Sequence, residues 1–173
     1  MIRKKGLTLI EVVITAVMFA MLAGVIAYAF RVVYLTWAAG QARCEMDISL
    51  DRAVEEMARE IREADGVQST AGYNEIRFER DGAAYIYYLY SSGDSYGPPP
   101  AFSEDSYEIR RCELPGGIAE SFSYGAGKII TFDVLPPPAT DLSLAGNMVT
   151  IDITASRNAE TIRTRTEVRP RGL

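Results

Sequence analysis

The 173-residue sequence contains no histidine, which removes the commonest general base and a frequent metal ligand at neutral pH. No internal repeat suggests a solenoid, and no grouping of residues resembles an enzyme's nucleophile or metal constellation. Gly125-Ala126-Gly127-Lys128 has the look of a phosphate loop, but Phe122 stands where the first glycine belongs and Ile129 where Ser or Thr is needed. It reads as a hairpin turn. Charge is missing from one long segment: Val12 through Phe30 is a run of 19 residues without Asp, Glu, Lys or Arg.

That run dominates what is present. Hydrophobic content of 48% is ordinary for a globular chain, and the length allows one compact domain or a smaller domain plus an appendage. As a helix the uncharged run spans roughly 28 Å, about the thickness of a hydrocarbon core. Arg3, Lys4 and Lys5 precede it, so the N-terminus is expected in the cytoplasm and residues after about 40 outside. Tyr34 and Trp37 follow the run, at the level where aromatic rings favour the outer interface. Without residues 1–6 the chain holds 15 Lys+Arg against 23 Asp+Glu, a side-chain net charge of −8. Nucleic acid is therefore not expected as a general partner.

Glu11 sits at the front of this apolar segment, and three readings of the N-terminus follow. A secretory signal would use Ala27-Tyr28-Ala29 as its cleavage site, yet Glu11 interrupts the apolar region and hydrophobicity continues through Val32, Val33 and Leu35. A plain single-span anchor would keep Met1. A third signal would be cut before the apolar segment, between Gly6 and Leu7, leaving Glu11 as the fifth residue of the mature chain.

The stretch Lys5-Gly6-Leu7-Thr8-Leu9-Ile10-Glu11-Val12 and the apolar run behind it resemble the type IV pilin family, which includes the pseudopilins of type II secretion. Leu7 stands where that family more often has phenylalanine or methionine. The resemblance implies that a membrane-embedded prepilin peptidase cuts after Gly6 and methylates the new N-terminus. It further implies that Glu11 pairs with the N-terminal amine of a neighbouring subunit during fibre assembly. An ionised carboxylate in a bilayer costs about 2.5 kcal/mol or more, so Glu11 calls for a partner or for a place at the headgroups.

Beyond the membrane the helix is expected to continue. Met46, Leu50, Ala53, Val54, Met57, Ile61 and Ala64 recur at three- and four-residue spacing, while Asp47, Asp51, Arg52, Glu55, Glu56, Arg59 and Glu63 fill most other positions. Gly24 and Gly40 are places where it could bend, and Asp65-Gly66 suits a left-handed cap. Strand-like alternation then predicts Glu75–Arg80, Ala83–Tyr90, Ser106–Cys112, Ala119–Tyr124, Lys128–Val134, Met148–Ala155 and Thr161–Val168. Asp81-Gly82 is a strong two-residue hairpin signal. With no helix between these strands an antiparallel sheet is expected. Residues 91–106 and 135–147, both rich in proline, read as surface loops.

The expected fold is thus α+β and pilin-like, a long N-terminal helix packed on a C-terminal antiparallel sheet. Residues 1–6 would be a cleaved leader and 7–39 the membrane-spanning half of the helix. Residues 40–65 would be its amphipathic half and 66–173 the β-rich domain. The helix segment 52–64, the Ile109-Arg110-Arg111 stretch and the Arg-rich end resemble, by order and texture, the J-type minor pseudopilins and related PilW-like minor pilins.

Several weaker signals remain. Asp94, Glu104 and Asp105 match no dedicated calcium spacing and read as solvated loop acids, so no metal or cofactor is expected. A disulfide between Cys44 and Cys112 is chemically allowed outside the cytoplasm. However, Cys44 lies about 160° around the helix from Met46, away from the packing face, so intermolecular pairing and two free thiols stay open. Arg163, Arg165, Arg169 and Arg171 form a basic stretch that balances the acidic helix face or contacts DNA.

The expected function is non-enzymatic. The chain would be a minor pilin or pseudopilin, stored in the bacterial cytoplasmic membrane as a single-pass protein with its β domain outside. It would join a type II secretion pseudopilus or type IV pilus at or near the tip. Its partners would be other pilin subunits, the prepilin peptidase and the inner-membrane assembly platform. Alternatives are a minor pilin of a DNA-uptake pilus and a secreted or single-span anchored binding protein.

Overall fold

The computed structural model describes residues 8–70, 72–96, 100–121, 123–157 and 160–172. The chain forms two units, Met1–Ala42 and Arg43–Leu173. One helix, α1 (Leu9–Arg62), supplies the described regular structure of the first unit and the helix of the second.

In the first unit every described residue through Gln41 is exposed. Gly24 and Gly40 lie within α1 and do not interrupt it. The two threonines of the apolar stretch turn inward on the helix itself: Thr15 donates to the Glu11 carbonyl at 2.7 Å and Thr36 to the Val32 carbonyl at 2.9 Å. Such back-bonding hides hydroxyls that would otherwise need a partner in an apolar medium. Among the described residues α1 is the one helix long and apolar enough, by length and composition, to cross a membrane.

In the second unit the periodic stripe becomes a core. Met46, Leu50, Ala53, Val54, Met57, Ala58 and Ile61 are buried, as is Ala64 just beyond the helix. Burying each of the larger side chains stabilises the unit by roughly 1.5–3 kcal/mol. They pack on an antiparallel sheet of β1 (Gly66–Gln68), β2 (Glu75–Arg80), β3 (Ala83–Tyr90), β4 (Tyr107–Leu114), β5 (Lys128–Val134), β6 (Asp141–Ala145), β7 (Met148–Arg157) and β8 (Glu160–Val168). The first five are sequential neighbours. One edge of β7 is shared by β5, at Val134 opposite Ala155, and by β6; the other edge takes β8.

The α+β architecture follows the sequence pattern, with β2, β3 and β5 at their expected limits. The Asp81-Gly82 turn has φ of 55° and 77°, the positive values a tight primed hairpin needs. Four expectations are corrected. Gly66 opens β1, opposite Glu79, and does not take the left-handed conformation of a helix cap. The described residues of 119–124 do not form a strand: the Arg77 guanidinium holds the carbonyls of Ile118 and Glu120, which removes the need for a ladder there. The 135–147 segment is not all loop. Leu142 and Leu144 alternate within β6, and Gly146-Asn147 makes the hairpin to β7, with Ala145 opposite Met148. Finally, α1 ends at Arg62 and not at Ala64, because Arg171 and Gly172 donate their amides to the carbonyls of Arg62 (3.2 Å) and Ala64 (3.1 Å). Gly172 is required there, since a Cβ would collide with the Asp65 carbonyl.

The sheet curls until β6 approaches β2, and Asn74 fastens the closure. Its side-chain amide donates to the Thr140 carbonyl at 2.8 Å and its Oδ1 accepts the Leu142 amide at 2.5 Å. Asn74 has φ of 50°, which asparagine tolerates better than most residues. Asn74→Ala leaves a donor and an acceptor unpaired and is expected to destabilise the β unit by about 2 kcal/mol. Thermal unfolding and faster exchange of the Leu142 amide measure the loss. Asn74→Asp, which keeps the acceptor alone, should fall between the two.

Candidate functional site

Glu11 lies in the first turn of α1 and is exposed. Its surroundings are apolar: Leu9 is 86% exposed, and Val12, Val13 and Ile14 are all more than half exposed. Thr8 is the residue before the helix, and the pair forms a reciprocal cap. The Thr8 amide donates to Glu11 Oε2 at 3.3 Å and the Thr8 hydroxyl to the same oxygen at 3.4 Å, while the Glu11 amide donates to Thr8 Oγ1 at 3.4 Å. The Glu11 and Val12 amides also reach the Thr8 carbonyl at 3.1 and 3.2 Å.

This is a capping box, and it satisfies amide groups that a helix start leaves open. The bonds to the carboxylate are long, and all converge on Oε2. Oε1 carries no described contact, so the negative charge at the positive end of the helix dipole can still accept a donor from another molecule. Thr8 is a capping partner of Glu11 that the sequence reading passed over, although Thr8-Leu9-Ile10-Glu11 carries the Thr-x-x-Glu signature. Gly6 and Leu7, the residues of the expected cleavage site, lie outside the described residues.

Behind the carboxylate the exposed helix carries a shallow groove lined by Val12, Ala16, Phe19, Ala20 and Ala23. Small residues four apart let another helix approach closely, which is how helices associate when lipid removes the hydrophobic drive between them.

The remaining candidates separate. Cys44 is exposed on the helix and Cys112 is half-buried, and both thiols are free. In β4 the odd residues Ile109 and Arg111 face the helix, whereas Cys112 packs with Ala84, Ile86, Tyr88 and Leu114 on the opposite face. The two cysteines are thus not brought together. Asp94 does not wait for a cation. It accepts the Ser103 amide at 3.0 Å, the Ser103 hydroxyl at 2.6 Å and the Tyr107 hydroxyl, and it holds the 91–106 loop in place. Among the described residues no three His, Cys, Asp or Glu gather as a metal site would require. The Gly125–Lys128 turn lies so near β4 that a Cβ on Gly127 would collide with the Arg111 carbonyl. Arg163 and Arg165 pair with Asp152 and Glu167.

The best-connected carboxylate of the second unit is Glu60. It interrupts the apolar face of α1 and is buried, 7% exposed. Tyr87 donates its hydroxyl to Oε2 at 2.6 Å and Arg111 its Nε at 2.8 Å; Arg80 approaches Oε1 at 3.4 Å. Burial alone would raise the Glu60 pKa. The hydrogen bonds from Arg111 and Tyr87, with the charges of Arg111 and Arg80, outweigh it and hold the carboxyl below its usual range. Burial and Glu60 together push the Tyr87 phenol well up. The signal was present in sequence, because Glu60 falls three residues after Met57 and four before Ala64, inside the apolar stripe. Its network fixes helix to sheet.

The chain matches no protein-family model, no curated protein and no solved structure.

A depressed carboxyl pKa in the folded state stabilises above the ordinary glutamate range and loses that contribution as pH falls through the folded value. Glu60→Gln is therefore expected to cost about 2 kcal/mol near neutral pH, since it takes the charge partner from Arg111 and one of three from Arg80. Below about pH 4 the difference from the parent should shrink. Unfolding curves across pH test both parts.

Proposed function

We propose that this chain is a structural fibre subunit of the type IV pilin-like kind, a minor pilin or pseudopilin, and not an enzyme. It would be cut after Gly6 by a prepilin peptidase and held in the cytoplasmic membrane by the first part of α1. It would then be drawn into a growing fibre through that same helix.

One observation carries the proposal: Glu11 is the sole acid at the front of an apolar helical surface that nothing else in the described chain covers. In the unassembled subunit Thr8 occupies one carboxylate oxygen through long bonds, which lowers the cost of holding the charge near the membrane without neutralising it. A neighbouring subunit's N-terminal amine, cationic whether or not it is methylated, fits the oxygen that remains. Desolvation strengthens that pair once the helices pack. The groove along Ala16, Ala20 and Ala23 suits close helix contact in the fibre core. The β unit, built on a separate core, would face outward and select partners, and tip initiation is the role that the resemblance to J-type subunits favours.

Substitution of Glu11 separates charge from capping. Glu11→Gln retains the reach and hydrogen bonds of a capping box but not the charge. It should be processed and inserted normally, yet be missing from sheared or crosslinked fibres, and Glu11→Ala should behave alike. Wild-type incorporation of Glu11→Gln would sink the pairing mechanism.

A further inference from the structure

Among the described residues the outer edge of β8 has no partner strand. β8 pairs with β7 in unbroken register from Glu160 opposite Arg157 to Val168 opposite Val149, and no described strand lies on its other side. That side presents a row of unpaired backbone amides and carbonyls, a ready template for another strand. Beside it runs a groove of about 520 Å³ between β8 and the outer side of α1, lined by Asp51, Glu55, Arg59 and Arg62 from the helix and by Thr164 and Thr166 from the strand.

Charge is sorted along this groove. Helix and strand advance together: Arg43 meets Glu160 at 3.6 Å, the Thr164 hydroxyl donates to Asp51 at 3.3 Å, and the Arg171 amide donates to the Arg62 carbonyl at 3.2 Å. Asp51 and Glu55 therefore mark one end and Arg59 and Arg62 the other, with Arg171 beside them. Arg163 pairs with Asp152, and Arg165, which also borders the groove, pairs with Glu167. Arg59, Arg62 and Arg171 have no ion pair among the described residues. Two arginines in the last turn suit the helix dipole, but that role does not require them to converge on an open strand edge.

We infer that the β8 edge is a docking site for an extended acidic segment of another protein, which adds as a strand and sets its carboxylates against Arg59, Arg62 and Arg171. Backbone ladder bonds would supply affinity, and the arginine end would supply direction and selectivity. A second copy of β8 does not fit. The full antiparallel self-pairing, centred on Thr164, places Arg163 of each copy opposite Arg165 of the other, and like charges directly opposed repel. This inference does not depend on processing at Gly6 or on fibre assembly.

The test uses the full chain in detergent micelles and three fluorescent probes: a short synthetic peptide of alternating glutamate and threonine, its lysine counterpart, and a short DNA duplex. The acidic peptide should bind saturably, weaken with salt, and slow hydrogen exchange of amides within 160–168. The double substitution Arg59→Glu/Arg62→Glu lies on exposed helix surface. It should lower the unfolding temperature only slightly, through the lost helix-dipole interaction, while weakening the acidic peptide by roughly tenfold as two reversed interfacial charges predict. The inference is overturned if the acidic peptide does not bind, if the lysine peptide binds equally, or if charge reversal has no effect. Capture of the duplex but not the acidic peptide would also overturn it, and would assign the arginines to nucleic acid.

Discussion

The constraint on which this protein turns is an apolar surface that its own chain does not cover. From Leu9 onward α1 displays leucine, isoleucine, valine, methionine and phenylalanine side chains, most of them half to nearly three-quarters exposed, with even its threonine hydroxyls folded back on the helix. At roughly 25 cal/mol for each Å² of apolar surface, water is a poor medium for such a helix. Lipid or other helices must cover it. The first unit is accordingly incomplete by itself, and whatever completes it must also accommodate Glu11.

The second unit solves the opposite problem. There the helix has a face that matches a sheet, and the fit is made specific by polar groups placed inside it. Two glutamates on one helix show the contrast. Glu60 is supplied with Tyr87, Arg111 and Arg80 by its own chain, so its charge is settled on folding. Among the described residues Glu11 has Thr8 as its side-chain partner, and Oε1 carries no described contact. One helix thus carries a carboxylate committed to internal registry and, under the proposed role, another held for a donor from outside the chain. The free edge of β8 extends that logic to the sheet.

The sequence made the architecture readable wherever periodicity was strong. The stripe from Met46 to Ala64, the alternation of β2 and β7 and the Asp81-Gly82 turn all carry local signals that packing then reinforces. What stayed hidden was decided by distant residues. Arg77 reaches across the chain to the carbonyls of Ile118 and Glu120, and a segment with strand-like alternation becomes a loop. Asn74 closes the sheet on β6 from 66 residues away in sequence, which no window of neighbouring residues reveals. Short β6 was masked by the prolines before it, although Gly146-Asn147 marked its turn. At the candidate site the carboxylate was legible from its placement, while its Thr8 cap and the Glu60 network were legible only in retrospect, as a Thr-x-x-Glu signature and as an acid inside an apolar stripe.

The role proposed for Glu11 belongs to processed subunits that offer their N-terminal amines to one another, and this chain becomes one only if its leader is removed after Gly6. Mass spectrometry of the chain recovered from the membranes of its own cell measures this directly. The account predicts a mature protein that begins at Leu7, lighter by residues 1–6 and N-methylated. A chain that retains Met1, or one that begins at Phe30, would contradict it.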